Sequence, residues 1–296
     1  MHHLTRLVAP LAVAGALFHP AAGAAEPLAH SRADLAQRAS LARELLAIVG
    51  IKESLGAWKG VLLKGGEQMD CGCSGDEATQ ARMREAWQRA VNTKFDVAAI
   101  EKALARAIAA EFDSQELQEV IDFRRSPLGR KLNALEPPAE QKTVDQAAAA
   151  RRMVAAYDRL KASPARKATI QEMLKYTGGA SQVADIYLEI WRGNVEGAVA
   201  AMPKDRPRPT EKEWMAQFLP MRAALAKSLK PAMLADYAER YKTLSVAELE
   251  TYRNKTADPI GRRFEAVTNR AFKVAMHAQA RAIGETYTRM VNWQDL

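Results

Sequence analysis

The chain repeats itself, and the repeat limits what it can become. Phe112-Asp113-Ser114-Gln115-Glu116-Leu117 lies beside Leu244-Ser245-Val246-Ala247-Glu248-Leu249. Downstream, Ser126-Pro127-Leu128-Gly129-Arg130-Lys131-Leu132 matches Asp258-Pro259-Ile260-Gly261-Arg262-Arg263-Phe264, both at an offset of 132. Upstream, Glu44-Leu45-Leu46 with Gly50 matches Glu172-Met173-Leu174 with Gly178, and Leu55 matches Val183, at an offset of 128. Two ordered sets of matches that differ by a single insertion indicate a tandem duplication. Its expected units are a first repeat over 31–137, a linker helix over 138–164 and a second repeat over 165–290.

Each block has a mechanical sense. Ser114 and Ser245 are the expected N-caps, a hydroxyl taking an otherwise unpaired backbone N–H. With Leu117 three places after Ser114, the first helix is expected to lack the reciprocal capping box, while Glu116 and Glu248 suit the positive helix end. Ser126-Pro127 and Asp258-Pro259 read as fresh caps followed by Pro at the first helical position, where its missing N–H does no harm. The residue before Pro is biased out of the α region, so one helix stops and another starts at an angle. Gly129 and Gly261, in the first turn of the new helix, imply close approach of a neighbouring helix. An anion site at that helix start is the less favoured reading.

The remaining chain is helical in pattern. Expected helices span Ser31–Val49, Lys52–Leu63, Asp76–Asn92, Val97–Glu111, Ser114–Arg125 and Pro127–Leu135, with a long one from Pro259 to about Met290. Leu41, Leu45, Ile48 and Val49 fall at helical spacing. Phe264, Val267, Ala271, Val274 and Ala278 form the expected buried face of the last helix. Gly50 and Gly178-Gly179 have the places of left-handed C-caps. No segment alternates as a half-buried strand does, and aromatic residues are only 6% of a chain rich in Ala, Leu, Lys, Arg and Glu. The expected fold is all-α: two related helical bundles joined by a helical linker.

Residues 1–24 read as a secretory signal. Arg6 is followed by an apolar run from Leu7 to Phe18, and Ala22-Gly23-Ala24 offers the small residues before a cut at Ala25. The run is shorter than the ~20 residues a membrane-crossing helix needs. No Cys follows it, which argues against a lipid anchor. The expected location is periplasmic, with no transmembrane segment in the mature chain. The formal net charge of +8 is spread along the sequence. A nucleic-acid partner would call for a basic stripe with stacking aromatics, and export argues against one.

The run Phe112-x-x-x-Glu116-Leu117, then Phe123-x-x-Ser126-Pro127-x-Gly129-x-Lys131-Leu132, resembles the bacterial family called domain of unknown function 2059. Glu44-Leu45-Leu46 with Gly50 fits that family's opening helix and turn. The second block departs from the pattern, with Lys255 in place of Phe123 and Asp258 in place of Ser126. The resemblance implies a small, exported, all-helical protein, and it carries no catalytic residues to transfer.

Few residues suggest chemistry. Cys71-Gly72-Cys73 sits in an expected loop, Gly65–Gly75. In an oxidising compartment a structural disulfide or a tether to another chain is the plainer reading, ahead of a redox pair or a metal site. His277 and His30 are the mature chain's histidines, and neither has a Ser or Cys partner by spacing, so no triad assembles. Trp58, Trp87, Trp191 and Trp214 lie in helical stretches, where packing is the plainer role. No metal site and no cofactor are implied.

The repeat-motif positions Glu116, Leu117, Ser126, Pro127 and Gly129, with Glu248, Leu249, Asp258, Pro259 and Gly261, read as structural. The expected function is an exported helical binding or interaction protein whose partner is another periplasmic protein or an envelope component. A thiol or metal handler using Cys71 and Cys73 is the first alternative, and an unrecognised hydrolase the second.

Overall fold

The computed structural model describes residues 32–67, 77–136, 146–204, 208 and 210–291. These form α-helices joined by short turns, with no strand among them. The first half holds α1 (Arg32–Ile48), α2 (Ile51–Glu67), α3 (Glu77–Lys94), α4 (Val97–Glu111), α5 (Ser114–Arg125) and α6 (Pro127–Leu135). Helix α7 (Gln146–Lys161) falls in the expected linker. The second half holds α8 (Pro164–Tyr176), α9 (Gly179–Ala201), α10 (Glu211–Arg240), α11 (Val246–Ala257) and α12 (Pro259–Met290). No helix among the described residues is long and apolar enough to cross a membrane.

Local chemistry sets the ends. Asp113, not Ser114, caps α5: its carboxylate accepts from the Glu116 N–H at 2.8 Å, and the Glu116 carboxylate accepts from the Asp113 N–H at 3.2 Å. The expected absence of a capping box in the first block is therefore corrected. Ser245 and Glu248 form the same reciprocal box at α11. Ser126 and Asp258 then cap α6 and α12 by accepting from the N–H of Gly129 and Gly261.

Those two glycines are needed because the new helix turns back on the end of the old one. A Cβ at Gly129 would lie 2.1 Å from the Phe123 carbonyl oxygen, and one at Gly261 would lie 2.1 Å from that of Lys255. The close neighbour is the preceding helix itself.

Two other expectations are corrected. Helix α2 continues through Gly65 and Gly66 to Glu67 instead of ending at Leu63. Trp87 packs against this last turn, donating its indole N–H to the Leu62 carbonyl at 2.7 Å, and a Cβ at Gly66 would collide with its ring. On α12, Val274 and Ala278 are exposed, and the buried residues are Val267, Phe272, Ala275, Met276, Ala280 and Ile283. The face is wider than a single stripe because α12 packs on α9, α4 and α3. Its approach to α9 is backbone to backbone: Cβ atoms at Gly197 and Gly284 would sit 2.0 Å from the Arg281 oxygen and 2.2 Å from the Asn194 oxygen.

Buried residues form two clusters, and both draw on residues from before and after the expected linker. The larger one joins residues of α1–α5, such as Leu45, Leu55, Trp58, Ile100 and Ile121, to Val183, Ile190, Met233, Phe272 and Ile283. The smaller one joins Leu132 of α6 to Leu160, Ile170, Tyr237, Tyr241, Leu244 and Leu249. Thus the helix after each Pro is buried with the other half of the chain.

Two cross-chain-half contacts follow the same rule. Glu116 pairs with Arg263 at the start of α12, while Glu248 pairs with Lys131 of α6 at 2.5 Å. Phe112 packs against Phe264, with the Arg263 guanidinium 4.5 Å from the Phe112 ring centre. In the matched blocks Glu116 stands opposite Glu248, and Lys131 opposite Arg263, so the two ion pairs are reciprocal.

Candidate functional site

The expected motif residues come together at this exchange. Leu117 and Leu249 are fully buried, one in each cluster, and Glu116 and Glu248 face the partner helix starts. The Lys131 ammonium, with the Ser245 N–H, pulls the Glu248 carboxyl down to about 2. Ser126, Pro127, Gly129, Asp258, Pro259 and Gly261 build the two corners. All ten serve the fold. Cys71 and Cys73, with His30, lie outside the described residues.

Between α5, α11 and the end of α6 runs a buried polar seam that the motifs do not announce. The Arg124 guanidinium donates to the Glu136 carboxylate at 2.6 Å, and Glu136 also accepts from the hydroxyls of Tyr252 at 2.5 Å and Tyr241 at 3.3 Å. Arg240 donates to the Glu136 backbone carbonyl at 2.8 Å while pairing with Asp236. Burial alone would lower Arg124, but the Glu136 carboxylate beside it raises it overall. Burial likewise pushes Tyr241 and Tyr252 well above the usual phenol range, and Tyr237 up to about 12. Such a satisfied network fixes one packing of its helices.

Glu265 of α12 faces the same seam without a hydrogen bond or ion pair among the described residues. Burial pushes its carboxyl up to about 8; Arg124 opposes the rise and Glu136 adds to it. The cleft it lines, between the halves, is only about 50 Å³. That is too small for anything beyond water or a small ion.

His277 bridges two carboxylates of α9. Its Nε2 lies 3.0 Å from Glu196, and its Nδ1 lies 3.2 Å from Glu189 at ion-pair distance but without hydrogen-bond alignment. No hydroxyl among the described residues hydrogen-bonds to it, and its two carboxylate contacts tie α12 to α9. No group of three or more His, Cys, Asp or Glu among the described residues could hold a metal ion. Trp58 and Trp87 are buried, and the side chain of Trp214 lies outside the described residues. Trp191 is half-exposed beside a depression of about 200 Å³. Two of its lining residues are ion-paired, Asp185 with Arg222 and Arg192 with Glu196.

A larger concavity lies elsewhere. A groove of about 660 Å³ opens where α8 turns into α9 and α10 passes alongside. Gly178 and Gly179 take φ of +62° and +46°, left-handed values that glycine alone adopts freely. The double turn leaves Gly178 as the N-cap of α9 with no side-chain hydrogen bond to the first N–H groups. Across from it, Pro231 of α10 has no N–H to give the Lys227 carbonyl, which interrupts the helix ladder beside the groove. The floor is apolar, with Leu174, Ala226, Met233 and Leu234. Three exposed lysines, Lys175, Lys227 and Lys230, stand on its rim. None has an ion-pair partner among the described residues.

Sequence reasoning missed this groove. Its one signal was Lys227-x-x-Lys230, two cations on one helix face without acidic residues three or four places away. Lys175 joins them only through the fold.

The family model described as an uncharacterized protein conserved in bacteria, domain of unknown function 2059, matches residues 98–156. This stretch covers α4, α5, α6 and much of α7, so the match falls on the segment that carries the first motif block. No curated protein and no solved structure matches the chain.

Proposed function

We propose that the chain is an exported binding protein of the bacterial envelope, without a catalytic site, that holds a small ligand in the groove between α8, α9 and α10. The observation that carries this reading is the groove itself. Its volume of about 660 Å³ falls within the ~300–1,000 Å³ usual for ligand sites. Apolar walls with a few convergent polar groups are the usual lining of such sites. Export rests on Arg6, the apolar run and Ala22-Gly23-Ala24, and periplasmic release follows from it. The two matched halves, traded around the Arg124–Glu136 seam, support a tandem duplication that became the frame for one groove.

Native mass spectrometry of the mature protein recovered from the envelope tests the reading. The expected spectrum shows an N-terminus at Ala25 and a bound small molecule. Ala226→Trp, which fills the groove from its half-buried wall, is expected to lose that molecule with the fold intact. A bare polypeptide mass under gentle desolvation would overturn the binding role.

A further inference from the structure

The groove's charge and shape say more about its occupant, and this step rests on the binding reading above. We propose that the ligand is a single-chain anionic amphiphile, a fatty acid or a lipid of like chemistry, with its anionic head on the lysine rim and its chain on the apolar floor. Three observations converge. Lys175 of α8 and Lys227 and Lys230 of α10 bring three positive charges to the lining of one groove, and none is neutralised by a carboxylate among the described residues. The start of α9, Gly178 to Ser181, lines the same groove with no side-chain cap on its first N–H groups, so the positive helix end adds to the lysines' field. Leu174, Ala226, Met233 and Leu234 give the groove an apolar floor with no charged group, which a neutral or doubly charged polar ligand would leave unmatched.

Each alternative lacks one of these halves. A free inorganic anion would use the rim and leave the floor wet. An uncharged hydrocarbon would use the floor and gain nothing from the lysines. An acidic protein segment needs a broader polar rim than three lysines supply.

Titration of the mature protein with laurate, dodecanol and inorganic phosphate, followed by calorimetry, separates these cases. Laurate is expected to bind, with dodecanol and phosphate each weaker by about tenfold or more, since three exposed charges contribute roughly a decade of affinity. Replacing Lys175, Lys227 and Lys230 together by Ala is expected to cut laurate affinity about tenfold and leave dodecanol unchanged. These are surface positions, and helical circular dichroism with an unchanged melting temperature confirms that the variant is folded. Ala226→Gln, at the half-buried wall, is the second variant, expected to weaken laurate and dodecanol alike while sparing phosphate.

Dodecanol binding as tightly as laurate would overturn the anionic head yet keep a groove that binds ligands. Phosphate competing as well as laurate would overturn the apolar chain. A concentration-dependent dimer that shields the three lysines, with no laurate bound, would assign the groove to a second copy and overturn the proposal. Failure of every ligand together with a bare native mass would remove the binding role itself.

Discussion

At Arg124 a guanidinium is held almost entirely inside the protein, with Glu136 on one side and two tyrosine hydroxyls sharing the same carboxylate. Removing one member of such a pair strands the other in a poor solvent. Arg124→Ala is therefore expected to reduce stability by about 3–5 kcal/mol in urea denaturation. Glu265 has the opposite problem, since it carries an acid that the seam does not satisfy. Burial pushes its carboxyl in the fold up to about 8, against 4.5 for the free group. Between those values the unfolded state binds fewer protons, so this residue's contribution to stability falls as pH rises and is fully lost above pH 8. Glu265→Gln is expected to flatten the melting-temperature profile over that window and to raise the melting temperature at its alkaline end. An unchanged profile would mean that Glu265 is ionised in the fold. Arg124 was partly legible, because Leu117, Ile121 and Arg124 share one helical face. Nothing in the local sequence names Glu136 as its partner, since that contact depends on where α6 docks.

At the scale of the helix, ends were easier to foresee than faces. The bounds of α4, α5 and α6 agree with expectation to the residue, because Asp-, Ser- and Pro-based stops act locally. The cap of α5 was misassigned by one place, since Asp113 and Ser114 are both good caps and only the reciprocal bond to Glu116 decides. The ends of α2 and the buried face of α12 depend on Trp87 and on α9, which sit far away in sequence. Two substitutions test these elements. Ser245→Ala removes the hydroxyl half of the α11 capping box and is expected to reduce stability by about 1 kcal/mol. Gly284→Ala would raise helix propensity in an exposed helix by about 1 kcal/mol. Here the new Cβ would meet the Asn194 carbonyl oxygen at 2.2 Å, so a net loss of about 1–3 kcal/mol is expected instead. Both are read by thermal or urea unfolding.

For the whole molecule, the matched blocks made the repeated corner legible but not the way the halves use it. Sequence matching pairs α5 with α11 and the starts of α6 and α12, and the expectation was two bundles in series. The buried clusters cross the linker because Leu132 and Phe264, the apolar ends of the two blocks, each lie against residues of the other half. An exchange of this kind leaves no pattern within either block. It does predict cooperative unfolding. Trp58 and Trp87 report the larger cluster, and Tyr237 and Tyr241 the smaller one. Tryptophan fluorescence and near-ultraviolet tyrosine dichroism should give coincident urea transitions, and two separated transitions would show independent halves. The groove also belongs to this scale, since its lysines come from α8 and α10 and meet only in the folded chain. A crystal structure of the mature protein grown with laurate tests the central claim most directly. The account predicts the carboxylate among Lys175, Lys227 and Lys230, with the chain along Leu174 and Met233. Laurate seated in the Trp191 depression, or an empty groove at saturating laurate, would contradict it.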